Sequence, residues 1–211
     1  MSDNKKGLAL VISGPSGAGK STVCNLLLEK GGNLHFSVSC TTRSPREGEL
    51  NGVHYHFLSK GEFEDNIEAG NLLEYAEVHG NYYGTLKSEV LDQVNQGKNV
   101  LIDIDVQGQR LLRKQCEDDS ALDAATVFIF FAPPSYAELE ARLRGRGTET
   151  EEAIVKRLTN ARGELDAWRE YDFMIVNKDA QVAADELSTI IAASGLRPKS
   201  IQLDQGWPYG K

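Results

Sequence analysis

With 211 residues, 40% hydrophobic and 26% charged, the chain is long enough for one α/β core with room for small inserted segments. A formal net charge of -8 argues against a nucleic-acid clamp, which needs a basic face. The three cysteines, Cys24, Cys40 and Cys116, are widely spaced and form no C-x-x-C pair, which fits a reducing cytoplasm better than a disulfide scaffold or a zinc site; no secretory signal or membrane span is visible.

The first apolar run, Leu8 to Ile12, leads into Gly14, Pro15, Ser16, Gly17, Ala18, Gly19, Lys20 and Ser21, a complete G-x-x-x-x-G-K-[ST] phosphate loop followed by an amphipathic stretch from Thr22. Each residue type has a physical reason. The glycines let successive backbone N–H groups converge on phosphate oxygens, Lys20 reaches the β/γ-phosphates, Ser21 suits Mg²⁺, and a helix beginning at Ser21 adds its positive end. The chain therefore reads as a nucleotide binder.

From Ser37 to Gln96 the texture changes to short alternating runs, Val53 to Phe57 and Leu72 to Val78, which predict an inserted α+β lobe. Within it, Arg43 and Arg46 flank Pro45, and two guanidinium forks there suit one phosphate monoester; taken alone, a solvated turn is the heavier reading. Glu74, between Leu73 and Tyr75, precedes Gly80-Asn81-Tyr82-Tyr83-Gly84-Thr85, a combination suited to a planar ligand and equally to a core. His54 and His56 would share a strand face, but two ligands without a third do not make a metal site.

Gly97 is expected to end a helix before the next strand, Val100 to Ile104. Asp103 and Asp105 follow at period two and would point to one face at the carboxyl end, where α/β ligands bind and where one acid suits Mg²⁺ through water. Further strands are expected at Thr126 to Phe131 and Phe173 to Val176, so the fold class is α/β, a parallel sheet flanked by helices. Capping boxes are read at Ser135 with Glu138 and at Thr148 with Glu151. The stretch Tyr136 to Glu170, charge-dense, broken at Gly145 and Gly147 and without a wide apolar stripe, reads as a mobile cover. The tail after Gly195, with Pro198 and Pro208, is expected to be weakly ordered.

The motifs GPSGAGKS, SCTTRSPREGE, GNYYGT, LIDIDVQG, FAPPS, RGRGTE and IVN occur in this order, and through them the chain resembles guanylate kinase over roughly Lys6 to Ile191. The resemblance implies a P-loop NTPase core (5–37, 97–135 and 171–193), a GMP-binding lobe (38–96), a helical lid (136–170) and a tail (194–211). It implies ATP and GMP as partners, Mg²⁺ with ATP as phosphoryl donor, dGMP as a second acceptor, and in-line transfer without a covalent enzyme intermediate. Nucleic acid and membrane are not expected partners, and assembly into a homo-oligomer is left open.

Carried over by position, the GMP-phosphate contacts fall on Arg43, Arg46, Tyr55 and Tyr83, and the guanine contacts on Ser39, Glu74, Thr85 and Asp105. Glu74 is the expected specificity residue, since one carboxylate accepts both guanine N1–H and N2–H. Lys20 with the lid and hinge arginines Arg142, Arg146 and Arg157 is expected to neutralise the transferring phosphoryl group, while Arg144 and Arg162 are expected to be solvated charges. The phosphate loop, Gly14 to Ser21, takes ATP, and Asn177 matches the position at its base. Ser21 and Asp103 are the Mg²⁺-side residues, the roles of Asp103 and Asp105 not being separable from sequence. Guanylate-kinase-like protein-binding modules have degraded phosphate loops; here Lys20 and Ser21 are intact.

Overall fold

The computed structural model describes residues 6–78, 80–145 and 150–201. In chain order the elements are β1 (Ala9–Ser13), α1 (Lys20–Glu29), β2 (Leu34–Phe36), β3 (Cys40–Thr41), β4 (His56–Phe57), α2 (Lys60–Glu68), β5 (Leu72–Val78), β6 (Asn81–Leu86) and α3 (Lys87–Asn95). Next come β7 (Asn99–Asp103), α4 (Val106–Asp118), α5 (Ser120–Ala125), β8 (Thr126–Ala132), α6 (Tyr136–Gly145), α7 (Glu151–Leu165), β9 (Phe173–Val176) and α8 (Ala180–Ser194). Single 3-10 turns lie at Asp166–Glu170 and Pro198–Ser200.

The expected apolar runs pair as a parallel sheet in the order β2-β7-β1-β8-β9. Every residue of β1 and β8 is buried, as a sheet covered on both faces requires. Period two then sorts the side chains. Leu10 and Ile12 pack with Val23, Leu27 and Leu187 of α1 and α8, while Ala9 and Val11 pack with Val90, Val94 and Leu112 of α3 and α4. Each fully buried Leu, Ile or Phe contributes about 1.5–3 kcal/mol, so these two layers fix where the strand ends stand.

A second sheet, β4-β3-β6-β5, lies over its own small core of Cys40, Phe63 and Leu72. The strand expected from Val53 to Phe57 is shorter, only His56–Phe57. Gly52 at φ +76° turns the chain, Val53 and His54 donate to the Leu50 carbonyl, and the His54 Nδ1 accepts from the Leu50 N–H. His54 and His56 therefore do not share a strand face.

The charge-dense stretch has no wide apolar stripe but a narrow seam: Leu139 and Leu143 of α6 pack on Ile154, Leu158 and Ala161 of α7. Arg144 and Arg162 are exposed, as expected of solvated charges, and at the surface Arg144 pairs with Glu140 and Glu151 while Arg162 lies 4.9 Å from the Tyr136 ring centroid. Ser135 caps α6 by accepting from the Glu138 N–H. The cap of α7 is Thr150, which accepts from the Ala153 N–H; Glu151 is already the first helical residue and so cannot close a box from Thr148, which lies outside the described residues. The tail also departs from expectation as far as Ile201. Arg197 donates to the Ala124 and Thr126 carbonyls, Lys199 pairs with Asp123, and Ser200 donates to Ala124.

Candidate active site

Register places the functional ends together. Ile12 lies beside Asp103 and Ser13 beside Phe130, so β1, β7 and β8 end on one edge. That edge opens into a cavity of about 400 Å³ lined by the phosphate loop, Asp103, Asp105 and Glu164. Gly14, Gly17 and Gly19 have φ of +142°, +93° and +88°, which favours glycine. A Cβ on Gly14 would collide with the Phe131 carbonyl, and one on Gly19 with the Asn177 amide. Helix α1 starts at Lys20, one residue earlier than expected, and Gly19 caps it without a side chain, leaving its first N–H groups for an anion.

Lys20 donates from Nζ to the Gly14 carbonyl at 2.6 Å and stands 3.8 Å from Asp103 Oδ1. Burial pushes the Asp103 carboxyl up, and the Lys20 charge opposes that. Asn177, expected at the base of ATP, is buried beneath the loop, where its Nδ2 donates to the Ala18 carbonyl at 2.8 Å. Arg142 donates to the Asn177 carbonyl at 3.0 Å and to Glu138 Oε1 at 3.0 Å. Arg157 donates to Ser16 Oγ at 2.6 Å, bringing the lid onto the loop. Arg146 lies outside the described residues. The hydroxyl of Ser21 and the carboxylate of Asp103 are hard oxygen donors beside a phosphate cradle, a set that fits Mg²⁺.

In the lobe, the arginine loop is assembled rather than left in solvent. Arg43 donates through Nη1 and Nη2 to both oxygens of Glu49 at 2.9 Å, and Nη1 also donates to the Ser44 carbonyl at 2.7 Å. Glu49 also accepts the Arg46 N–H at 2.7 Å, and these donors pull its carboxyl down to about 2. The Arg43 guanidinium lies 5.5 Å from the Tyr55 ring centroid, and the Tyr55 and Tyr83 centroids are 6.1 Å apart. Three of the four expected phosphate contacts are thus gathered. The Arg46 guanidinium makes no hydrogen bond or ion pair among the described residues.

Glu74, only 7% exposed, accepts from the Thr85 hydroxyl at 2.7 Å through Oε1. Burial pushes its carboxyl up to about 7; Thr85 opposes this and the nearby Asp105 charge adds to it. A Cβ on Gly108 would stand 2.8 Å from Glu74 Oε2, so the bare helix surface of α4 makes room for the carboxylate. The expectation of two acids on one strand face is corrected. β7 ends at Asp103, and Asp105 is the N-cap of α4, accepting from the Gly108 N–H at 2.8 Å, though both acids line the same cavity. Ser39 is half-buried at the entry to β3, and its carbonyl accepts from the His56 N–H.

Several contributing residues were not singled out from sequence: Glu49 inside the arginine motif, Gly108 inside a helical run, Glu164 on the lid, and a cluster at the lobe's hinge. Glu89 of α3 pairs with His35 Nε2 at 2.8 Å and His56 Nε2 at 3.2 Å and accepts the Val38 N–H at 3.2 Å. It joins β2, β4 and the crossing into the lobe. A glycine in the first turn of a helix just after a strand-end acid was the readable signal for Gly108; Glu89 carried none, because its partners are 33 to 54 residues away.

This two-part arrangement agrees with known proteins. The family model for guanylate kinase matches residues 6–194. The chain is 46% identical to the guanylate kinase of Clostridioides difficile over 189 residues, covering 90% of this chain and 89% of that protein. It is also 46% identical to that of Agrobacterium fabrum over 193 residues, covering 92% and 85%. The crystal structure of guanylate kinase from Anaplasma phagocytophilum superposes with a TM-score of 0.71 at 35% identity, covering 93% of this chain and 90% of that one. A family model over residues 6–194 and relatives 46% identical over nine-tenths of the chain place it in the guanylate kinase family.

Proposed function

We propose that this chain transfers the γ-phosphoryl group of ATP to GMP, and to dGMP, in the cytoplasm. The observation that carries the reading is Glu74: a buried carboxylate, bonded by Thr85 and seated against Gly108, in the lobe that also holds the Arg43, Tyr55 and Tyr83 cluster. Guanine offers N1–H and N2–H donors to such a group, whereas adenine does not. The relatives' shared name, guanylate kinase, supports the same acceptor.

In this reading the phosphate loop and Lys20 hold the β/γ-phosphates, while Arg43 and Arg46, with the Tyr55 and Tyr83 hydroxyls, hold the acceptor phosphate. Lys20 leaves the Gly14 carbonyl when phosphate oxygens replace it. Arg142, Arg146 and Arg157 neutralise charge on the moving group. An ionised phosphate oxygen is already a nucleophile, so the residues' work is alignment and electrostatics, with no general base required. Ser21 and Asp103 would hold Mg²⁺, Asp103 through water, and the bound ion would screen the phosphate charges. Asn177 supports the loop from below through its Nδ2 bond to the Ala18 carbonyl and is the residue assigned to the adenine side. Ser39, Thr85 and Asp105 complete the base pocket around Glu74.

The net charge of -8 and buried free cysteines suit a cytoplasmic enzyme of small nucleotides, and no helix among the described residues is long and apolar enough to cross a membrane. A coupled assay of ADP formation with GMP, AMP, UMP and CMP tests the assignment. GMP should be preferred by at least about a hundredfold in kcat/KM, as a site built on paired hydrogen bonds achieves. Equal use of AMP would remove it.

A further inference from the structure

One carboxylate in the phosphate cavity is left without a task. Glu164 stands in the last turn of α7 and lines both the cavity above the phosphate loop and an adjoining one of about 370 Å³ that shares Asp105. It is half-buried, and it forms no hydrogen bond or ion pair among the described residues. An acid at a helix carboxyl end faces the negative pole of the helix, so its position is locally unfavourable. Burial and the Asp105 charge both push its carboxyl up, while Lys20 pulls it down, which places it within electrostatic reach of both sides of the cavity. Three other acids of the lid are committed, Glu138 to Arg142 and Glu140 and Glu151 to Arg144, while Glu152 stands exposed on the outer surface rather than in the cavity.

The charge count of the cavity gives Glu164 its meaning. Asp103, Asp105 and Glu164 are three carboxylates against two cations, the Lys20 ammonium and the Arg157 guanidinium bonded to the lining Ser16, so the carboxylates are in excess. A polyphosphate entering without a cation meets an excess of like charge; accompanied by a divalent cation it brings much of its own neutralisation and presents coordinated water to any nearby acceptor. We propose that Glu164 couples nucleotide binding to the divalent cation, opposing metal-free ATP and accepting hydrogen bonds from the water shell of the Mg²⁺–ATP complex. The inference rests on ATP occupying the phosphate loop. It makes Glu164 a positioning residue on the lid, acting on the charge state in which the donor is admitted.

The test is binding rather than turnover. ATP affinity is measured calorimetrically for the wild type and Glu164→Gln, once with excess Mg²⁺ and once with EDTA. The wild type should bind ATP more tightly with Mg²⁺; Glu164→Gln should tighten metal-free binding by about tenfold, the scale of one like charge across such a cavity, and shrink the Mg²⁺ advantage accordingly. Glu152→Gln, a charge removed from the exposed first turn of the same helix, should leave the ratio unchanged. Thermal melting checks the fold, and Glu164→Ser repeats the charge removal if the Gln variant does not fold. A folded charge-removal variant with the wild-type Mg²⁺ ratio overturns the coupling role alone. A wild type that binds no ATP in either condition overturns the donor-site reading and the coupling with it.

Discussion

Around the phosphate loop the groups proposed to bind anions are backbone N–H donors, held by glycines that touch the core sheet and Asn177; in the lobe the proposed groups are side chains held by other side chains. The loop takes its shape from β1 and β8, which are buried along their whole length. The lobe takes its shape from pairs such as Arg43 with Glu49 and Glu74 with Thr85. The donor site should therefore tolerate loss of a functional side chain without loss of geometry. The acceptor site should couple its geometry and its chemistry in the same residues.

Lys20→Ala should break the comparison most visibly on the donor side. Its charge acts on the phosphates and is absent from the apolar core, so turnover should fall by at least about a hundredfold while the melting temperature shifts by only a few degrees. Steady-state kinetics and thermal melting on one preparation check both halves. A variant that loses turnover by unfolding would place Lys20 in the framework instead.

The lobe offers a graded contrast between two arginines. Arg43→Lys removes the fork that holds Glu49 and the contact with Tyr55 as well as a phosphate ligand, so KM for GMP should rise by about 10- to 100-fold. Arg46→Lys removes only an uncommitted guanidinium, and the rise should be about tenfold or less. Equal effects would mean that the Glu49 pairing does not organise the clamp.

A smaller effect separates stability from chemistry at Glu74. Its folded carboxyl titrates near 7, above the ordinary 4.5, so the folded state binds the extra proton between these values and stability falls as pH rises through that window. Glu74→Gln removes this penalty. The variant should match the wild type near pH 4.5 and exceed it above pH 7, by on the order of 1–3 kcal/mol. Denaturant unfolding at the two pH values measures the difference; a variant less stable at pH 8 would show that the ionised carboxylate is held favourably by groups other than Thr85.

Much of this contrast was legible because it is local. Four sheet strands announced themselves as apolar runs, and the phosphate loop is a contiguous motif whose conformation the glycines dictate. What escaped depends on distant partners or on very little apolar surface. Asp105 looked like a strand residue because alternation continues through it, yet the ladder stops at Asp103 and the next acid turns to cap α4. The lid's seam needs only Leu139, Leu143, Ile154, Leu158 and Ala161, too few to outweigh its charged faces. The run Val53 to Phe57 alternates like a strand, but Gly52 and the His54 ring fold its first half into a turn. The His35, Glu89 and His56 contacts join three elements that sequence could not bring together.

The central claim, that the Glu74 carboxylate reads guanine, is tested most directly by the ratio of kcat/KM for GMP and AMP in the wild type and in Glu74→Gln. The amide turns one acceptor into a donor facing a guanine donor, and an unpaired buried polar group costs about 1–3 kcal/mol, more when a charge is involved. The account predicts a fall for GMP of at least about tenfold with AMP much less affected, so that the ratio collapses. An equal fall for both substrates, or no fall for GMP, would contradict it.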